Sequence, residues 1–583
     1  MNYCKTPTNH IKTDRTEAWS GRESICKVLA QRIEEQLNQK GSCLLAVDCY
    51  PGVDEEELKT ALSALHPALF LDMRDALCSK EEYARRIGPY LTDDRVFGRM
   101  YYGTLRDFQE TEKLESLRRQ AENAAGLTII FGFGAGTLVK PDILVYADIS
   151  RWEIQLRYRR GMTNYHTDNP QEDNLKKNKQ GYFFEWRIGD KQKRNLLGDF
   201  DFYLDCNRPS EPAMISGNCY RRALTEIAKK PFRTVPYFDP GVWGGQWMKK
   251  VCGLDPNEKN FAWSFDGVPE ENSLHLEANG VLVETPAMNL VLYQPKELLG
   301  PQVYARFGAE FPIRFDFLDT MGGQNLSLQV HPLTDYIHNQ FGMSYTQDES
   351  YYILDAEEGA EVYLGLKEGV CPKEMIDDLK TAQTGEKPFD ADKYINRFPA
   401  KKHDHFLIPA GTVHCSGAGC MVLEISATPY IFTMKLWDWG RLGLDGKPRP
   451  IHIEHGEKVI QWDRQTEWVK ENLVSPTYTV RETGDYKEEH TGLHELEFIE
   501  TRRYEIKTVC SLDTKNNVNM LNLVEGDAAV IESPTGAFEP FEVHYAETFI
   551  LPAAAGQYTI RPATDTPIKV IRAYVRTPRG AED

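Results

Sequence analysis

The spacing of apolar and polar positions divides the chain into two textures. From residue 22 to about 230, helical and strand patterns alternate. "ESICKVLAQRIEEQL" carries apolar side chains at helical spacing, "SCLLAVDCY" is an apolar run of strand length, and "DEEELKTALSAL" returns to helix behind an acidic first turn. "GLTIIFGFG" and "DILVYADI" read as further strands, and "SRWEIQLRYRR" as a helix opened by a serine cap. Such alternation predicts a mostly parallel α/β sheet. A charged stretch, "HTDNPQEDNLKKNKQGYFFEWR", then breaks the pattern.

Beyond about residue 230, short apolar runs sit between Gly, Pro and Asn turns: "GVLVETPAMNLVLYQP", "LSLQVHP", "SYYILDAEEGAEVYLGL" and "HFLIPAGTVHCSGAGCMVLEIS". This predicts an all-β barrel or sandwich, interrupted by a helical insert near 372–397. A further β-rich block follows, and its phrase "FILPAAAGQY" (549–558) echoes "FLIPAGTVH" (406–414). The echo suggests two related β-domains, the second lacking the histidine. The expected division is a tail over 1–21, an α/β domain over 22–230, a first β-domain over 231–504 and a second over 505–583.

Composition narrows the classes. A chain of 583 residues is expected to form about two to four domains. A net charge of −19 argues against a nucleic-acid or anionic-membrane surface, while leaving a small anion open, since a few local Arg or Lys override net charge. The N-terminus lacks the apolar core of a signal peptide, and no run reaches the length of a membrane span. Twelve cysteines without CxxC pairs read as reduced thiols, so a cytoplasmic protein is expected.

The candidate chemistry lies in the β-region. In "NLSLQVHPLT" (325–334), Gln329 and His331 stand two apart on a strand and so share a face. Glu349 in "QDESYYIL" and His414 in "PAGTVH" complete a set of two imidazoles, a carboxylate and an amide. That set suits zinc or another divalent ion, with a position left for substrate. Read singly, a histidine on a strand is more often a hydrogen-bonded structural residue than a ligand.

The order of the segments adds to this. With "VWGGQWMKK" (242–250), "FAWSFDG" (261–267), "FPIRFDFLDT" (311–320), "LWDWGR" (436–441) and "GKPRPIHIEH" (446–455), they resemble the type I mannose-6-phosphate isomerases of the cupin (jelly-roll) fold, over about residues 235–583. The resemblance implies that Gln329, His331, Glu349 and His414 hold the metal, and that Arg441 lines the substrate pocket and acts on the substrate. It implies interconversion of mannose 6-phosphate and fructose 6-phosphate, or of a related sugar pair, through a cis-enediol. Lys435, Gln347, Glu424 and Arg314 are further candidates for substrate binding. Three positions depart from the family. Gln347 and Asp316 stand where lysines are usual, and Lys435 where bacterial members often show arginine.

For Arg441, the rival reading is an ion pair with Asp438; for Glu424, a structural hydrogen bond. His403 and His405 are expected at the surface, Cys415 in packing, and Trp437 and Trp439 in core or pocket wall. The rival functions are a non-catalytic, metal-containing sugar or sugar-phosphate sensor and an iron-dependent dioxygenase. The second is disfavoured because such sites draw closely spaced histidines or an HxD pair from one motif.

In the first domain, "LLAVDCYPGVDEEEL" occupies the strand-to-helix position of a phosphate loop but has no lysine and no Ser or Thr of GxxxxGK[ST]. The order of elements is similar to nucleoside-kinase-like P-loop domains, so a degenerate relative serving self-association or regulation is expected. Arg157, Arg159 and Arg160 read as a solvated helix face.

Overall fold

The computed structural model describes residues 2–576, apart from positions 14, 429, 431, 445, 447, 448, 475 and 476. The chain forms two compact units. One comprises Thr8–Glu226 with Ser273–Tyr293, the other Met1–Pro7 with Ile227–Asn272 and Gln294–Asp583. The division therefore differs from a cut at 230. The segment 273–293 leaves the β-region to join the α/β unit, where its strand Ser273–Ala278 pairs in parallel with Thr8–His10.

The α/β unit is built on a seven-stranded sheet. Five strands run parallel, in the order Leu69–Asp72, Gly126–Phe131, Ser42–Cys49, Ile143–Asp148 and Phe202–Asp205. Two antiparallel strands, Ala213–Ser216 and Ala18–Ser20, extend the edge. The first strand in the parallel run sits at the centre, and its apolar residues are covered on both faces, as a parallel sheet requires. The charged stretch continues the helical pattern. Helix Asn174–Gln180 runs through a π-turn at Gly181–Glu185 into helix Trp186–Leu196. Lys177 and Lys179, polar in sequence, are buried there with their ammonium groups donating to backbone carbonyls.

The second unit contains two antiparallel sandwiches. In the first, the strands His405–Ile408, Asp348–Ala356, Cys420–Ala427 and Arg314–Asp319 lie side by side, continued by Trp263–Gly267 and Tyr237–Asp239. Facing them are Ile395–Pro399, Glu361–Leu366, His414–Ser416 and Leu328–Val330, continued by Met434–Trp437. The helical insert is present as Pro372–Thr384 and Ala391–Tyr394.

In the second sandwich, Thr548–Leu551, Asn519–Glu525, Ile568–Val575 and Ile499–Ile506 oppose Phe541–His544, Ala528–Glu532, Gln557–Pro562 and Cys510–Asp513. Taken in chain order, these eight strands occupy the same places as the eight named first in the other sandwich. Strands Tyr478–Glu482 and Tyr486–His490 join its larger sheet, so it begins ahead of residue 505. A buried network ties the first residues of the chain into this unit. Arg233 pairs with Glu547 at 2.6 Å, and Asp266 accepts from the Tyr3 hydroxyl and the Thr548 amide.

Candidate metal centre

The register of the first sandwich carries the candidate ligands to one place. Gln329 lies directly opposite His414 on one sheet, and Glu349 lies between Ile408 and Ser426 on the other. Cross-strand partners share a face, so the side chains of both sheets meet in the interior. His331 Nε2 is 3.0 Å from Glu349 Oε2, and His414 Nε2 is 2.8 Å from Glu349 Oε1. Gln329 Nε2 lies 3.2 Å from His414 Nε2, so a rotation of the amide group would turn its oxygen to the same place. The two imidazoles and the carboxylate form the one His/Cys/Asp/Glu group of metal-holding geometry among the described residues, with ligand atoms within 4.8 Å of one another.

The tautomers follow from the outer nitrogens. His331 Nδ1–H donates to the Phe432 carbonyl and His414 Nδ1–H to the Thr412 carbonyl, each at 2.9 Å. Both Nε2 lone pairs are thereby turned on the carboxylate of Glu349, and all three side chains are fully buried. His331 Nε2 and Glu349 Oε1 have no hydrogen-bond partner. Acceptor facing acceptor at 2.8–3.0 Å in a dry interior is unfavourable without a positive charge between them. Burial pushes the Glu349 carboxyl up, but the two imidazoles outweigh it and hold it well below the usual carboxylate range. For His331, burial lowers the imidazole, and Glu349 outweighs it upward. The donor set fits a divalent cation, which would take the place of the positive charge that protonated imidazoles otherwise give Glu349.

Around this group the inner face of the larger sheet is polar. One row carries Arg314, Ser426 and Glu349, and the next carries Asp316, Glu424 and Tyr351. Glu424 is buried; loss of solvent, then the charges of Glu349 and Asp316, push its carboxyl well above the ordinary range. Asp316 is pushed up to about 6, chiefly by burial, and its Oδ2 accepts from Arg314 Nη2 at 2.9 Å. The Arg314 charge is therefore matched by its strand neighbour. Lys435 stands opposite Gln329 in register, on the shared face. The Tyr351 ring meets His414 edge-on at 5.7 Å.

Arg441 forms the ion pair that its spacing from Asp438 offers. Its guanidinium is held by Asp438 Oδ1 at 2.5 Å, the Asp438 carbonyl at 3.2 Å and the Asn325 carbonyl at 2.8 Å, so the ion-pair reading describes its geometry. Gln347 is turned onto Glu349 and the Phe432 amide. His405 is fully buried against Ser350, and His403 is half-buried and paired with Glu525, which corrects their expected surface placement. Both lie on the face of the sheet opposite Glu349, because His405 pairs with Tyr352. Cys415 is buried, and Trp439 donates to the Leu326 carbonyl. Sequence reasoning missed Tyr351 and the carbonyls of Phe432 and Thr412; a backbone carbonyl leaves no side-chain signal.

In the α/β unit, the turn at the phosphate-loop position is filled by the chain itself. Asp54 caps the helix Glu55–Ser63 by accepting from the Glu57 amide, and a Cβ on Gly52 would meet Ile154 at 2.7 Å. Arg157 is buried rather than solvated, donating to the carbonyls of Gly52 and Cys206. A small apolar pocket of about 50 Å³ lies beside it, lined in part by Leu29, Leu58 and Leu62. Its other arginines are engaged as well, Arg22 by Glu57 and Arg208 by the Leu282 carbonyl. No described helix is long and apolar enough to cross a membrane.

Comparison with known proteins adds four findings. A family model described as a domain of unknown function, DUF8485, matches residues 22–229. The chain is 30% identical over 221 residues to the mannose-6-phosphate isomerase of Streptococcus mutans serotype c, a match covering 38% of this chain and 64% of that one. It is 24% identical over 340 residues to the mannose-6-phosphate isomerase ManA of Bacillus subtilis, covering 57% and 96%. Among solved structures, the mannose 6-phosphate isomerase from Bacillus subtilis aligns with a TM-score of 0.49 at 18% identity, covering 59% of this chain and 99% of that one.

Proposed function

We propose that the chain is a metal-dependent aldose–ketose isomerase acting on mannose 6-phosphate and fructose 6-phosphate or a closely related sugar pair. The observation that carries this is the buried His331–Glu349–His414 group, in which His331 Nε2 and Glu349 Oε1 have no hydrogen-bond partner. The curated relatives bear the same activity in their names.

In this reading His331, Glu349, His414 and the Gln329 amide oxygen hold a divalent cation, with zinc the favoured ion for two imidazoles and a carboxylate. Once bound, that ion supplies Lewis-acid polarisation of the sugar O1 and O2. The chain's residues handle orientation and the proton. Lys435, on the face shared with Gln329, is placed to pair with the negative charge that develops on the enediol oxygens. In this reading Glu424, whose carboxyl is buried and pushed well above the ordinary range, carries the proton between C1 and C2. Arg441 stabilises the turn Asp438–Arg441 and through it the strand that carries Lys435.

The test is turnover of zinc-loaded protein on mannose 6-phosphate and on free mannose, with His331→Ala as control. Turnover abolished by the substitution supports the isomerase. Bound metal without turnover on either sugar favours the sensor.

For the α/β unit, the central first strand and the Asp54-capped turn support a nucleoside-kinase-like relative that has lost its phosphate loop and serves association or regulation. Calorimetry with ATP and Mg²⁺ is expected to show no binding at this unit.

A further inference from the structure

We propose that Gln347 is a positioning residue for the metal carboxylate, closing a ring through the backbone N–H and C=O of Phe432 that sets the affinity of the site. The inference rests on the metal reading above. Gln347 lies two residues before Glu349 and is 3% exposed. Its Nε2 donates to Glu349 Oε2 at 3.1 Å, and its Oε1 accepts from the Phe432 amide at 2.9 Å. The same residue's carbonyl accepts from His331 Nδ1–H at 2.9 Å, and His331 Nε2 returns to Glu349 Oε2 at 3.0 Å. Two candidate ligands on different sheets are thus referred to the backbone of one residue, Phe432.

The chemistry of the position explains the residue type. The side chain must donate to a carboxylate at one end and accept from an N–H at the other. A neutral amide does both, and its two partners fix which end is which. A lysine, which the family resemblance places here, has no acceptor and would leave the Phe432 N–H unpaired in a buried place. One Nε2–H and one Oε1 lone pair of Gln347 are thus engaged, and its neutral amide takes up no proton. Its action runs through Glu349: it holds the carboxylate rotamer that aims one oxygen at each imidazole.

The test is competition for Zn²⁺ between a fluorescent chelator and the full-length protein, for wild type, Gln347→Met, Gln347→Ala and Glu349→Ala. The expected result is loss of the tight site in Glu349→Ala and weakening by about tenfold to a hundredfold in Gln347→Met, with the unfolding of metal-free protein little changed. The visible absorption of the Co²⁺-loaded Gln347→Met protein is expected to shift as the carboxylate changes its angle to the ion, which loss of packing elsewhere does not cause. Should the Met variant fail to fold, Gln347→Ala carries the same comparison. Wild-type affinity and spectrum in a folded Gln347 variant, with binding lost in Glu349→Ala, would overturn the inference and leave the metal reading standing. Wild-type binding in Glu349→Ala would remove the metal reading itself.

Discussion

The two sandwiches of the second unit share a strand plan and differ in what fills the middle. In the first, Glu349 pairs with Ile408, the residue before Pro409, and Gln329 faces His414. In the second, Asn519 pairs with Leu551, the residue before Pro552, and Leu512 faces Tyr558. Register thus sets Asn519 at the place of Glu349, Leu512 at that of Gln329 and Tyr558 at that of His414. The Tyr558 hydroxyl donates to Asn519 Oδ1 at 3.1 Å, a donor meeting an acceptor, so the pair is satisfied without a cation. Most of the rest of that interior is an apolar cluster including Leu521, Phe549, Ile560 and Val570, beside the buried Arg572, which donates to the Tyr504 hydroxyl and the Asp513 carbonyl. One framework therefore supports a dry core or a polar centre, and the choice rests on whether the inward residues satisfy one another.

The comparison breaks most sharply at the paired positions. His414→Ala is expected to abolish metal binding and lower turnover by roughly a thousandfold or more, the scale of losing a group that stabilises developing charge. Metal analysis beside a turnover assay checks it. Removing core bulk from the other sandwich tests the converse. Phe549→Ala should cost about 3–5 kcal/mol in denaturant unfolding, while folded protein keeps its full metal content.

A smaller effect depends on pH and on the outer face of the metal sandwich. Burial first, then the charges of Arg503 and His490, lower the His405 imidazole to about 3. The folded state keeps it neutral, whereas in the unfolded chain it takes a proton near pH 6.5. Its contribution is therefore complete above pH 6.5 and lost as pH falls from there toward 3, about 1.4 kcal/mol per pH unit. Between pH 7 and 5 the wild type should lose about 2 kcal/mol that His405→Asn does not, read from unfolding curves at both pH values. Smallest of all, Tyr558→Phe should cost about 1 kcal/mol for one buried hydrogen bond and leave metal and turnover unchanged.

Much of this is legible in the sequence, for identifiable reasons. Gln329 and His331 announce themselves by a two-residue spacing that puts both on one face, and the echo of "FLIPAGTVH" in "FILPAAAGQY" marks strands in matching places of the two sandwiches. What the sequence hides is partnership across distance. Arg441 reads as a substrate group or an ion pair until Asp438 and Asn325 are seen to hold its guanidinium. Arg157 reads as solvated because the carbonyls it binds, on Gly52 and Cys206, carry no side-chain signature. His405 reads as surface in "KKHDHF" because the strands that bury it lie elsewhere in the chain. The membership of 273–293 in the α/β unit is hidden for the same reason, since its strand pairs with residues 8–10.

The central claim is that the first sandwich holds one divalent cation between His331, Glu349 and His414. The most direct measurement is Zn²⁺ stoichiometry after equilibrium dialysis, for wild type, His331→Ala and the second-sandwich control Asn519→Ala. The account predicts one tightly held ion per chain in wild type and in Asn519→Ala, and none in His331→Ala. Equal zinc in wild type and His331→Ala, or no zinc in wild type, would contradict it.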